Sequence, residues 1–100
     1  MYKDIITYTL AEGVNQDQLL TVAREVYQSR MSKLPGFVSR EIHQIDDRHY
    51  VDIVYRNSKE DAKNAENDMA NIPNGDKRYT CYAPDSITSQ SATQISHFGE

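Results

Sequence analysis

The chain has no tryptophan and one cysteine, Cys81. A lone cysteine makes no internal disulfide, which suits a reducing compartment. With no histidine near it in sequence, Cys81 reads as a packing residue and not as a nucleophile. No apolar run approaches the roughly 20 residues of a membrane span, and the opening Met1-Tyr2-Lys3-Asp4 lacks the apolar stretch of a signal peptide. These absences predict a cytoplasmic protein without membrane contact. Lysine and arginine form no run, and 11 basic residues against 15 acidic leave a formal charge of -4. That excludes the basic footprint by which nucleic acid is held. The three histidines and the cysteine lack HExxH or CxxC spacing, and the four glycines build no phosphate loop. The expectation is that no metal, nucleotide or flavin cofactor is used.

What is abundant is tyrosine, with seven against two phenylalanines. Tyrosine suits half-buried pocket walls, where the ring is dry and the hydroxyl finds a partner. It also favours strands for their own sake, and both readings stay open. At 100 residues the chain has the length of one ordinary domain, taken as residues 1–100. A core of that size is modest, so self-association is a natural supplement.

Residues 2–10 read as a strand with both faces partly apolar. Asn15 and Gln18 form a capping-box pattern, and Leu19, Val22, Ala23, Val26, Arg30 and Leu34 make one stripe, predicting a helix over 16–33. Pro35 and Gly36 stop it. Two β-rich runs follow, 37–45 and 50–56, split by Asp46-Asp47-Arg48-His49, which predicts an antiparallel hairpin. Ser58 then opens a second helix running to about Asn71. Residues 77–83 suggest a helical turn with Tyr79 and Tyr82 pointing inward, and 86–98 a fourth, weak strand rich in Ser, Thr and Gln. The order β-α-β-β-α-β is that of an α+β, ferredoxin-like fold.

The hairpin divides residues between two faces. With Ile45 opposite Tyr50, His43 faces Asp52, Glu41 faces Val54 and Ser39 faces Arg56. One face then carries Val38, Arg40, Ile42, Val51, Ile53 and Tyr55, mainly apolar. The other carries Glu41, His43, Tyr50, Asp52, Val54 and Arg56, mainly ionisable. An exposed apolar sheet face usually marks an interface, and a second copy related by a twofold axis is its simplest cover.

The string Pro35-Gly36-Phe37, Ser39-Arg40-Glu41, Asp47, Tyr50-Val51-Asp52, Ser58 and Glu60-Asp61-Ala62 is similar to the antibiotic-biosynthesis monooxygenase-like family. The resemblance covers nearly the whole chain in element order and is dense from Leu34 to about Ala65. It implies a homodimer whose two sheets face each other in a dimeric α+β barrel, with a small-molecule pocket in each subunit between sheet and helices. Members include cofactor-independent oxygenases acting on polycyclic phenols and haem-degrading enzymes, and related barrels include lactone isomerases. This chain departs from the pattern at Arg56, where many members have tryptophan, and at Ile6, where haem-degrading members have asparagine. Haem degradation is thereby disfavoured.

The expected register places an imidazole beside a carboxylate. His43 would act as general base, Asp52 would orient it, and Arg56 would hold an anionic or enolate oxygen. Glu41 lies diagonal to Arg56 on that face, and Tyr8 on the first strand would add a phenolic hydrogen bond, so both are expected to bind substrate. Two functions stay open. One is a cofactor-independent monooxygenase-like or isomerase-like enzyme acting on an aromatic or enolisable substrate. The other is a non-catalytic ligand-binding or interaction module. An open cavity lined by His43, Asp52 and Arg56 would favour the enzyme, and a space filled by side chains the module.

Overall fold

The computed structural model describes residues 1–70 and 81–99, with the backbone alone at 69 and 70. The elements are β1 (Tyr2–Thr9), α1 (Gln16–Ser29), β2 (Phe37–Gln44), β3 (His49–Arg56), α2 (Lys59–Ala70) and β4 (Thr88–Thr93). All strand pairs are antiparallel and the sheet order is β2-β3-β1-β4. Among the described residues, four antiparallel strands carrying two helices make this an α+β, ferredoxin-like fold. Among the described residues no helix is long and apolar enough to cross a membrane. The suggested turn over 77–83 falls mostly outside the described residues.

Local signals explain the helices. The Asn15 side chain accepts the Gln18 amide at 2.9 Å, and the Gln18 side chain accepts the Asn15 amide at 2.9 Å. Two donors that the helix cannot satisfy are thus paired reciprocally. Asn15→Ala should cost about 1 kcal/mol, read as a melting temperature lower by roughly 4–8 °C. The apolar stripe predicts a helix to residue 33, but α1 ends at Ser29 and a 3₁₀ turn takes Met31–Lys33. The tighter turn swings Met31 into the core, where it is 5% exposed. Gly36 follows with φ 79°, and a β-carbon there would drive into the Asp61 side chain. Its carbonyl accepts the Asn57 amide at 2.8 Å, tying the start of β2 to the end of β3. On α2, Ser58 accepts the Asp61 amide at 3.1 Å and donates to the Asp61 carboxylate at 3.0 Å.

The hairpin forms, but its register differs by one residue from the expected pairing. Ile42 lies opposite Asp52, His43 opposite Val51, Glu41 opposite Ile53 and Ser39 opposite Tyr55. The cause lies in the loop. Asp46 accepts the amides of Arg48 and His49, both at 3.0 Å, so the turn closes on 46–49. His49 thereby enters β3 and Ile45 is left out, 63% exposed. These hydrogen bonds also hold the fully exposed Asp46 carboxyl below its ordinary range. An irregularity at Val38 then shifts the pairing by one more residue and sets Phe37, not Ser39, opposite Arg56.

Because side chains alternate, a slip of one moves a whole strand's residues to the other face. Arg40 and Ile42 therefore join Tyr50, Asp52, Val54 and Arg56 beneath the helices. Glu41 and His43 join Val51, Ile53 and Tyr55 on the outer face. β1 contributes Ile6 and Tyr8 to the helix side and Ile5 and Thr7 to the outer side. The core gathers Tyr8, Leu10, Leu19, Tyr50 and Cys81, with Ile6, Val22, Ile42 and Tyr82 packed against them. Cys81 is buried in that cluster, as its packing role requires. The fourth strand is shorter than expected. Ser86 is spent on a turn, donating to the Ala83 carbonyl at 2.7 Å and accepting the Thr9 amide at 3.1 Å.

Candidate functional site

Three neighbouring strands send one polar side chain each beneath α1. Asp52 of β3 lies opposite Ile6 of β1 and Ile42 of β2, so Tyr8 and Arg40 stand two residues along on either side. Such diagonal neighbours are within reach of long side chains. The Tyr8 hydroxyl donates to Asp52 Oδ1 at 3.0 Å, and Arg40 Nη2 donates to Asp52 Oδ2. Arg40 Nη1 also donates to the Ala23 carbonyl of α1 at 3.3 Å. The Arg40 and Asp52 side chains are 8% and 3% exposed. An ion pair this dry has lost its hydration, so each charge depends on the other.

Tyr8 is held on both sides. Its ring meets Tyr82 at 4.1 Å between centroids and lies parallel to Tyr50 at 6.2 Å. Burial, and next the Asp52 charge, push its phenol far above the ordinary tyrosine range. Tyr8 therefore keeps its proton and serves as a donor, not as a base. Tyr8→Phe retains the stacking and removes the bond to a charged acceptor, a loss of roughly 1.5–3 kcal/mol. Urea unfolding of the two proteins measures it. Tyr50 completes the polar layer, donating to Gln16 Oε1 at 3.0 Å and accepting from Gln44 at 3.3 Å.

Arg40 Nε has no hydrogen-bond partner among the described residues. Arg40 lines a cavity of about 10 Å³ with Leu19, Val22, Ala23, Val26 and Tyr82. That is the space of about one water molecule. An open groove of about 420 Å³ lies nearer the start of α1, along Val14, Asn15, Gln18, Val22 and Cys81. Val22 borders both spaces. The region between α1 and the sheet is thus occupied mainly by Arg40 and the tyrosines.

Of the residues singled out in the sequence, Tyr8, Asp52 and Arg56 lie on the helix side. His43 and Glu41 do not. His43 Nε2 sits 3.0 Å from Glu41 Oε1 on the outer face, with both side chains about half exposed. The expected pairing of His43 with Asp52 and the diagonal of Glu41 with Arg56 are therefore not formed. Arg56 stands four residues from Asp52 on one strand, roughly 13 Å at the usual strand rise. It is buried, its Nε and Nη1 are unpartnered among the described residues, and it faces the Phe37 ring at 5.9 Å. Burial lowers its pKa, which Asp4 and Asp61 partly offset. The residue missed was Arg40. An arginine on a strand face otherwise read as apolar needs a buried counter-ion, and Asp52 is within reach only after the one-residue shift. Among the described residues no three histidine, cysteine, aspartate or glutamate side chains converge as metal ligands.

Neither a scan of family models nor a search of curated proteins finds a match. Solved structures do match. The cofactor-independent oxygenase SnoaB from Streptomyces nogalater is 14% identical, with 99% of this chain and 98% of that chain aligned at a TM-score of 0.77. The monooxygenase from the gene ActVA-Orf6 of Streptomyces coelicolor, in complex with nanaomycin D, is 14% identical over 99% and 91% of the two chains, TM-score 0.76. A dimeric ferredoxin-like protein from an uncultured marine organism is 12% identical over 100% of both, TM-score 0.68. Proteins from Bordetella bronchiseptica and Bacillus cereus that bear the antibiotic-biosynthesis monooxygenase name also match. The chain has the ferredoxin-like fold of the antibiotic-biosynthesis monooxygenase structures.

Proposed function

We propose that this chain is a homodimeric small-molecule-binding protein that takes an aromatic or enolisable ligand between α1 and the sheet. There it carries out oxygenation or proton transfer with its own side chains. The observation that carries this reading is Arg40, a buried cation with a spare Nε donor beside an apolar cavity. A ligand phenolate or enolate oxygen would satisfy that donor by a charge-assisted bond. Asp52 would fix Arg40 and Tyr8, and Tyr8, whose single hydroxyl proton is donated to Asp52 in a hydrogen bond, would contribute its ring as a wall of the site. Arg56 lies too far along β3 to share this oxygen. Tyr82 and Val22 would have to yield to admit the ligand from the groove. The oxygenase SnoaB and the nanaomycin-bound monooxygenase support the chemistry by fold. The dimeric neighbour supports self-association, and the outer sheet face is the surface we assign to it.

A second reading, a dimeric module without catalysis, is favoured by the filled space around Tyr8, Tyr50 and Tyr82. A panel of phenols and hydroxyquinones separates the two. On the enzyme reading, ligands shift the amide resonances of Val22, Ala23 and Tyr82, and oxygen is consumed without added metal or flavin. Arg40→Lys, which keeps the charge but loses Nε, should weaken binding about tenfold or more, the scale of a charged hydrogen bond. His43→Ala should leave binding and turnover unchanged. A folded dimer that binds none of the panel would select the module.

A further inference from the structure

The small cavity beside Arg40 suits a guest other than water. Its walls are Leu19, Val22, Ala23, Val26 and Tyr82, together with Arg40. Its volume of about 10 Å³ admits a single molecule the size of water or of a diatomic gas. A buried water usually makes about three hydrogen bonds. Only Arg40 and Tyr82 bring polar side-chain atoms to this space. Arg40 directs Nη1 to the Ala23 carbonyl and Nη2 to Asp52, so Nε is the nitrogen it has left. Mainly apolar walls of this kind hold a small apolar guest in preference to water.

We propose that this cavity is a binding site for dioxygen. The inference rests on the oxygenation reading above and names the place of the second substrate. Val22 is the partition between the cavity and the groove of about 420 Å³. A ring that displaces Val22 from the groove side therefore comes up against the gas. Arg40 borders the cavity and keeps Nε for the ligand oxygen. Negative charge that moves from a phenolate to dioxygen thus stays beside one fixed cation, which lowers the cost of the transfer. With a phenol, a ring carbon bonds to dioxygen and the phenol's proton goes to the outer oxygen, giving a hydroperoxide. The carbon then loses its hydrogen as a proton and the O–O bond breaks. A quinone and one water result, the ring being oxidised and the dioxygen reduced.

Dioxygen itself is the probe. Methyl relaxation is compared in solutions of the protein equilibrated with pressurised dioxygen and with nitrogen. Leu19 is 2% exposed and Val54 4%. Collisions from solvent therefore favour Val54 slightly, whereas a guest in the cavity favours Leu19. The expected result is paramagnetic relaxation severalfold larger at the Leu19 methyls than at those of Val54. Val26→Ile, whose added methylene fills the space, should remove that excess and leave Val54 as it was. Equal relaxation at Leu19 and Val54 would overturn the site. So would a long-lived water cross-relaxing with the Arg40 Nε proton, with no excess from dioxygen. The phenol panel keeps this failure apart from that of the parent reading. Phenols that still shift the Val22 amide, without the excess at Leu19, overturn the gas site and leave ligand binding standing. The excess at Leu19 with no phenol bound supports the gas site and removes the oxygenase.

Discussion

Asp52→Ala should destabilise the protein by about 3–5 kcal/mol, because it strands Arg40 as an uncompensated buried cation. Against the ~5–15 kcal/mol that holds an ordinary domain together, this is enough to leave the variant partly unfolded near body temperature. Asp52 accepts from both Tyr8 and Arg40, so Asp52→Asn is predicted to fall short of rescue. The amide keeps one acceptor oxygen, loses the charge and presents a donor toward Arg40. Replacing the pair together, as in Arg40→Met/Asp52→Leu, should cost much less than Asp52→Ala alone, since dry ion pairs are often matched by apolar packing. Thermal and urea unfolding of the three variants decide the point. A loss below about 1 kcal/mol in Asp52→Ala would mean that water reaches the pair.

The second large effect is expected on the outer face. Ile53 lies between Glu41 on β2 and Ile5 on β1. Ile53→Lys places a cation at the centre of the face proposed to meet a second copy. Within one subunit the change is mild, because Glu41 stands directly opposite and offers a partner. Across a closed interface the same charge loses its water, at a cost of several kcal/mol. The expected outcome is a folded monomer at concentrations where the wild type is a dimer, read by light scattering together with an unchanged helix and strand signal. A dimer of undiminished affinity would remove this face from the interface.

The order of elements was legible in the sequence because each boundary carries its own chemistry. Asn15 with Gln18 and Ser58 with Asp61 mark helix starts that hold in the structure, whereas Pro35-Gly36 mark the entry to β2 and not the end of α1, which comes at Ser29. Which side of the sheet Asp52 and Arg56 take was also legible, since Tyr50, Asp52, Val54 and Arg56 move as one alternating set. The partner of Asp52 was not. Pairing between strands depends on where the loop closes, and there one side-chain oxygen of Asp46 decides between two turns differing by a residue. Hydrophobic pattern could not arbitrate, because β2 carries an arginine among apolar residues on one face and a histidine with a glutamate on the other. Arg40 reads as an anomaly on an apolar face until a carboxylate is set within its reach. Tyr82 was expected to point inward and packs against the core, but its tilted contact with the Tyr8 ring follows from tertiary packing alone.

The central claim is that Arg40, and not His43, is the partner of Asp52 beneath α1. Two double-mutant cycles measure it in one protein, Arg40 with Asp52 and His43 with Asp52. The account predicts a coupling of about 1–3 kcal/mol in the first and less than about 0.5 kcal/mol in the second. A strong coupling between His43 and Asp52, with none to Arg40, would contradict it.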